Sequence, residues 1–298
     1  MTKQHCISSI LFFFGLFLYS VSCTNQRSTA LQVDNYIDFD TIVVSERHHL
    51  HGDSLQPFAD INVSFVFPVR SQQMDVETLQ HFFIERMFGI ESQSVVAFDV
   101  VQQYKQAFFD SFLTDARIFN DHARDFSTTA QRDEISEHEA RMLNNSFVSY
   151  YETLSNIITF NQNGVLAFQV KQSNRRGDFI AFESFRNYVI DLQSGEQVTE
   201  YDIFNQDFES SLQRILIASL LEQNGVQTID ELEDLGFFGI EEIMPNGNFL
   251  LDDRGITYLF NTGEYSVHQI EPPVVFIPYR SIRTLLRRNS VAARLADL

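Results

Sequence analysis

Asp252 and Asp253 are adjacent carboxylates in the stretch LLDDRGITYLFNTGEYS, Leu250 to Ser266, and a carboxylate pair raises the question of general acid and base work. That chemistry needs two carboxyl groups in separate environments converging on one bond, whereas neighbours in a turn point apart into water. A calcium loop would need further oxygen ligands at alternate positions, and here Arg254 and Gly255 follow instead. The flanking runs NFLL and ITYLF make the stretch read as strand, turn and strand. Aspartates suit the turn, and Gly255 accepts a positive φ.

Other reactive side chains are sparse. His48, His49 and His51 form the only histidine cluster. His49 and His51 share a side of an extended segment, but a zinc or copper site wants three or four ligands, so SERHHLHGDSLQP reads as an exposed loop. Glu134 and His138 lie one helical turn apart without an HExxH pattern and read as a solvated helix face. No GxSxG, GxxxxGK or GxGxxG is present, so neither a serine elbow nor a nucleotide loop is expected. No cofactor and no metal is expected. Tyr258, Phe260 and Tyr265 alternate with other apolar residues; outward-facing ones would offer binding surface, and inward-facing ones would fill the core.

Across 298 residues the formal net charge is −19, a field that repels phosphate backbones, so no nucleic-acid partner is expected. A protein partner steered by that field would be basic. Thirty phenylalanines and no tryptophan point to a phenylalanine-filled core. At the N-terminus, MTKQHCISSILFFFGLFLYSVSC has basic Lys3, an apolar stretch centred on Leu11 to Leu18 and small residues before Cys23, the pattern of a secretory signal. The run is short for a membrane span. Ser20, Val21 and Ser22 leading to Cys23 resemble a bacterial lipobox, in which the cysteine carries the lipid. Cys6 and Cys23 are the only cysteines, so the rest of the chain folds without disulfides. Residues 1–22 are expected to be the signal peptide and 23–34 a lipidated tether, with the membrane held through Cys23. Thr24, in place of the Asp that retains lipoproteins at the inner membrane, points to the outer membrane, facing the periplasm or the cell surface.

These residues must be positioned by the elements that follow. YIDFDTIVV and DINVSFVFPV alternate as strands. Asp75 can cap a helix with Val76, Leu79, Phe82, Phe83 and Met87 on one face and Gly89 as its stop. A second helical pattern runs from about Val96 to Phe112. SFVSYYETLSNIITF, VLAFQVKQ and FIAFESFRNYVIDL read as consecutive antiparallel strands, with Asn163 and Gly164 as a tight hairpin turn. Phe208 to Leu221 is an amphipathic helix, TIDELEDLG a short acidic helix capped by Thr228, and PPVVFIPYRSIRTLLRR a strand and a basic helix. Segregated blocks of this kind predict an α+β fold: antiparallel sheets with segregated helices, in two intimately packed subdomains, residues 35–172 and 173–298.

YVIDLQSGE, NFLLDDRGITYLFNTGEYS and VVFIPYRSIRTLL together resemble the C-terminal domain of unknown function in RsiV-type anti-sigma-factor ectodomains. INVSFVFPV followed by a helix, and later YYETLSNIITFNQNGVLAFQV, is similar to the N-terminal module of PdaC-type peptidoglycan deacetylases. The likeness spans most of Tyr36 to Arg288. It implies an extracytoplasmic, receptor-like module, and in the RsiV type one that binds lysozyme. The deacetylase domain of PdaC-type enzymes finds no counterpart in the remaining residues. The expectation is a lipid-anchored extracytoplasmic binding protein of the bacterial cell envelope, not an enzyme, that takes a cationic wall hydrolase such as lysozyme or a peptidoglycan component. A cell-wall hydrolase or deacetylase-like enzyme with an unrecognised site, and a structural envelope protein, stand as alternatives.

Overall fold

The computed structural model describes residues 34–90, 96–127, 149–177, 179 and 181–298, with side chains as far as 117 in the second helix. The expected signal segment with Lys3 and Cys6, the expected lipidation position Cys23, the expected tether before Asp34, and the Glu134 and His138 pair lie outside the described residues. No helix among the described residues is long and apolar enough to cross a membrane.

Six strands, β1 (Asp38–His49), β2 (Phe58–Arg70), β3 (Tyr150–Gln162), β4 (Val165–Arg176), β5 (Phe182–Asp191) and β6 (Glu196–Gln197), form one sheet in sequence order. Between β2 and β3 run α1 (Val76–Phe88) and α2 (Ala97–Ser127). Asp75 caps α1 by accepting from the Thr78 backbone N–H at 2.8 Å, and Gly89 ends it in the left-handed region, as the sequence predicts. The β3–β4 turn is likewise Asn163 and Gly164, both at positive φ.

One pairing departs from the antiparallel expectation. β2 and β3 run parallel, from Ala59 opposite Tyr150 to Ser64 opposite Ser155. The reason is the helical crossover between them, which returns the chain to the end where β2 began. β1 also outruns its apolar pattern: Ser45 to His49, expected in a loop, pair with Asn62 to Phe58. Backbone pairing there overrides side-chain polarity, because one side of β1 faces water.

A second, three-stranded antiparallel sheet contains β7 (Phe249–Leu251), β8 (Gly255–Leu259) and β9 (Val274–Pro278), with β8 in the centre. Around it stand α3 (Glu200–Ile203), α4 (Glu209–Asn224), α5 (Ile229–Asp234), α6 (Tyr279–Ile282) and α7 (Val291–Leu295). α5 carries the expected Thr228 cap, completed by Glu231. The expected basic helix shrinks to the single turn of α6, because Leu285 to Arg287 pair instead with Ile203 to Asn205.

Two cores share β4 and β5. Leu166, Phe168, Val170 and Ile190 pack beneath α1 and α2 with Phe65, Phe83 and Phe112. Val165, Ala167 and Val189, alternating with them, pack against α4 and the second sheet with Leu212, Phe249 and Tyr258. The fold is thus α+β with segregated helices. The expected module boundary between Gln172 and Ser173 falls inside β4.

Asparagine side chains extend the ladders where strands stop pairing. Beyond the parallel segment, Asn156 accepts from Val66 N–H at 2.8 Å and donates to Val66 O at 2.7 Å. Along β5, Asn248 accepts from Asn187 N–H at 2.8 Å and donates to Phe185 O at 3.0 Å, while Asn261 accepts from Phe185 N–H at 2.7 Å. The second sheet is thereby clipped to the edge of the first.

Asn248→Ala leaves the buried Asn187 N–H without its partner and is expected to destabilise by about 2 kcal/mol in urea unfolding. A loss no larger than that of the exposed control Asn62→Ala would reject the clip. Gly255 has no positive φ, contrary to expectation; an added Cβ would lie 2.2 Å from the Ile277 carbonyl oxygen of β9. Gly255→Ala is therefore expected to cost about 3 kcal/mol or more by forcing β8 and β9 apart, and unchanged unfolding would contradict that close approach.

Candidate functional site

The Asp252 and Asp253 pair is turn chemistry. Asp252 accepts from the backbone N–H groups of Arg254 at 2.8 Å and Gly255 at 3.0 Å, and its second oxygen takes the Arg254 guanidinium at 2.9 Å. The Arg254 side chain is held above its ordinary pKa, first by that hydrogen bond and then by the Asp252 charge. Tyr279 closes the turn from below by donating to the Asp252 carbonyl at 2.8 Å. Every acceptor direction of Asp252 is thus spent on the hairpin itself.

Tyr258 and Phe260, read as possible contact residues, are fully buried. β8 is the central strand of its sheet and is covered on both sides, so alternation along it sends no large side chain to solvent. Tyr265 is half-buried and meets the edge of Phe260 at 5.1 Å between ring centres. No hydrogen bond of standard geometry reaches the Tyr258 hydroxyl, which lies beside the Glu200 carboxylate. Burial, and then the Glu200 charge, push that phenol well above its ordinary pKa. Burial also raises the Glu200 carboxyl, although a 3.0 Å hydrogen bond from Gly247 N–H pulls the other way.

The histidines do not converge. His48 stacks on Phe109 of α2 with ring centres 4.0 Å apart, His49 approaches Phe58, and His51 sits in a 3-10 turn at φ 55°, which breaks the extended alternation. No group of three or more His, Cys, Asp or Glu side chains placed to hold a metal occurs among the described residues.

Sequence reasoning missed a cleft of ≈ 310 Å³ between α2 and the ends of β3 and β4, lined by Tyr104, Tyr150, Glu152 and Arg176 among others. The Tyr104 hydroxyl and, at 2.8 Å, the Gln172 amide both donate to one oxygen of Glu152; Tyr150 donates to Asp115, which Arg176 also approaches at 3.4 Å. Burial, then the Glu152 charge, raises the Tyr104 phenol, and burial, then the bond to Asp115, pushes Tyr150 up to about 12. Both phenols are therefore fixed donors at neutral pH, and they tie α2 to the sheet.

A second surface feature lies on the C-terminal half of the chain. Between Arg214 and Arg280 there are eleven Asp and Glu residues, and the only Lys or Arg is Arg254. In that interval Leu235, Phe238, Met244 and Val267 are 48%, 41%, 39% and 39% exposed. Two strips carry three of them. Phe237 bridges Ser266, Phe238 N–H donates to Tyr265 O at 3.0 Å, and Val267 N–H donates to Gly236 O at 3.0 Å. Gly236 is packed so closely that a Cβ there would sit 3.2 Å from Val267 and 3.3 Å from Ile270. Glu233, Asp234, Glu241, Glu242 and Glu264 are exposed on and beside these strips. The result is an apolar patch rimmed by carboxylates, with Tyr265 at its inner edge.

Residues 201–280 match the family described as "Protein of unknown function (DUF3298)". The patch lies wholly within that match. No curated protein matches the chain. Among solved structures, a member of the DUF3298 family from Bacteroides fragilis is 24% identical, with a TM-score of 0.76, over 89% of this chain and 100% of that one. A DUF3298 family protein from Pseudomonas aeruginosa is 11% identical, with a TM-score of 0.54, over 85% of this chain and 96% of that one. These likenesses are likenesses of fold. They extend through both cores, well beyond the matched residues.

Because the Glu200 carboxyl is raised in the folded state, its contribution to stability is complete below its unfolded pKa and is lost as pH rises through the raised value. Glu200→Gln keeps an oxygen for Gly247 N–H. It is expected to unfold at higher denaturant than the parent at neutral pH and to match it below about pH 4. An equal midpoint at both pH values would show that Glu200 is not held in an unfavourable site.

Proposed function

We propose that this chain is a lipid-anchored extracytoplasmic binding protein of the bacterial cell envelope, whose acidic, apolar-centred patch receives a basic protein of the wall-hydrolase class, such as lysozyme. The observation that carries the reading is the pairing of exposed Leu235, Phe238 and Val267 with exposed carboxylates, in a sequence interval whose one Lys or Arg residue is Arg254. Apolar side chains at the centre supply affinity, and the surrounding charge steers a cationic partner and selects against acidic ones. The RsiV-type and PdaC-type resemblance and the lipobox-like approach to Cys23 support the same placement outside the cytoplasm.

Immobilised full-length chain is expected to retain lysozyme at low salt and to release it progressively as ionic strength rises. Phe238→Ala combined with Val267→Ser is expected to weaken retention by about tenfold or more, without lowering the unfolding midpoint. Glu241→Lys with Glu242→Lys should slow association. Retention that ignores salt and all four substitutions, or no retention at all, rejects the reading.

A hydrolase reading has one specific observation behind it, the cleft in which Glu152, Asp115 and two tyrosines meet. Turnover of peptidoglycan fragments that disappears in Glu152→Gln would put that reading first.

A further inference from the structure

A second site lies away from the acidic patch residues in sequence and has the opposite charge. Residues 279–296 contain Arg280, Arg283, Arg287, Arg288 and Arg294 and no acid. Arg283, Arg287 and Arg288 line one cavity of ≈ 800 Å³ with Asn205, Leu286 and Ala293.

In a chain of net charge −19, surface arginines have abundant carboxylates to choose from, and several find one. Arg47 pairs with Asp60, Arg70 with Asp38, Arg176 with Asp115, and Arg294 of α7 with Asp191 at 2.7 Å. The guanidiniums of Arg283, Arg287 and Arg288 make neither an ion pair nor a hydrogen bond among the described residues. Asp191, Glu196 and Asp202 line a neighbouring recess with Arg287 and Arg288, and none of them forms an ion pair with either; Asp191 is committed to Arg294, and Asp202 to Thr199, whose backbone N–H and hydroxyl donate to it at 2.8 and 2.6 Å.

The backbone that carries these arginines is held in place. Asn205 N–H donates to Leu285 O and Arg287 N–H to Ile203 O, both at 2.8 Å, while the Asn205 amide donates to Leu286 O at 3.1 Å. Phe204 bridges Leu286 and is itself fully buried, so the segment is anchored in the core on one side and opens its arginines on the other.

We infer that this cavity binds a phosphate-bearing anion. Guanidinium groups present planar forks of donors that match phosphate oxygens two at a time. Three such groups without an ion-pair partner suit a multiply charged anion better than a single carboxylate. The volume leaves room for an organic group beside the phosphate, against Leu286 and Ala293. The phosphate can come from a soluble ester or from a lipid headgroup at the membrane surface.

Calorimetric titration of the full-length chain with inorganic phosphate and with glycerol phosphate, against chloride at equal ionic strength, tests the soluble source. Co-sedimentation with phosphatidylglycerol vesicles, against phosphatidylcholine vesicles, tests the lipid source. Saturable binding of either kind that falls at least tenfold in Arg287→Gln with Arg288→Gln, and is unchanged in Arg280→Gln, supports the site and names its source. Absence of binding in both arms, or binding that the paired substitution leaves unchanged, overturns it. Should the paired variant fail to fold, phenylglyoxal labelling of the unsubstituted chain decides. Phosphate must protect Arg283, Arg287 and Arg288 more than Arg280, and equal labelling overturns the inference.

Discussion

The architecture depends on the Val165 to Phe168 end of β4, with Val189 and Ile190 of β5 beside it, being buried on both faces. Val165, Leu166, Ala167 and Phe168 are four consecutive residues with no exposed surface, and their alternation divides them between two cores. A strand in that position cannot tolerate a change of register, because a one-residue slip would exchange the two sets of core contacts. It also creates an edge problem. β5 pairs with β6 over only two residues, so most of its outer backbone groups would face the second sheet unpaired. Asn248 and Asn261 meet those groups with side-chain amides, which resemble a peptide unit and can both give and take hydrogen bonds.

Charge is distributed around this frame unevenly. The chain between Arg214 and Arg280 is acidic almost without interruption, and the segment immediately after it is basic without an acid until Asp297. Solubility alone asks for charge of one sign or for interspersed signs, and local pairing would place arginines beside the carboxylates they neutralise. Here the acidic strip carries exposed apolar side chains and the basic strip lines a cavity, so each charge block has its own local setting. That segregation is the physical ground on which the proposed recognition rests.

What the sequence made legible was local. The Asp75 cap, the Asn163 and Gly164 turn, the Thr228 capping box and the hairpin at Asp252 depend on neighbours within four residues, and each formed as its chemistry dictates. What stayed hidden was non-local. The parallel pairing of β2 with β3 follows from where two helices return the chain, and the role of Gly255 follows from the Ile277 carbonyl of another strand. The burial of Tyr258 and Phe260 follows from β8 becoming a central strand, which an alternating pattern cannot distinguish from an edge. Of the three aromatic residues singled out, only Tyr265 reaches the rim of the patch. One usable signal was present: the apolar residues Phe238 and Val267 stand in turn-rich segments, where no strand or helix face claims them.

The proposed partner would meet a surface that is already ordered. A contact surface made of loop residues loses conformational freedom when a partner arrives, and the loss is subtracted from affinity. In this chain the loss is already incurred in folding. The 235–238 strip follows a capped helix and hydrogen-bonds to the 265–267 strip, which continues from Phe260 and Tyr265, and Gly236 admits Val267 and Ile270 because it has no side chain. Exposed apolar groups that are held this firmly cannot fold back to hide from water. They remain presented, and burial by the proposed partner would add the hydrophobic contribution with little ordering left to oppose it.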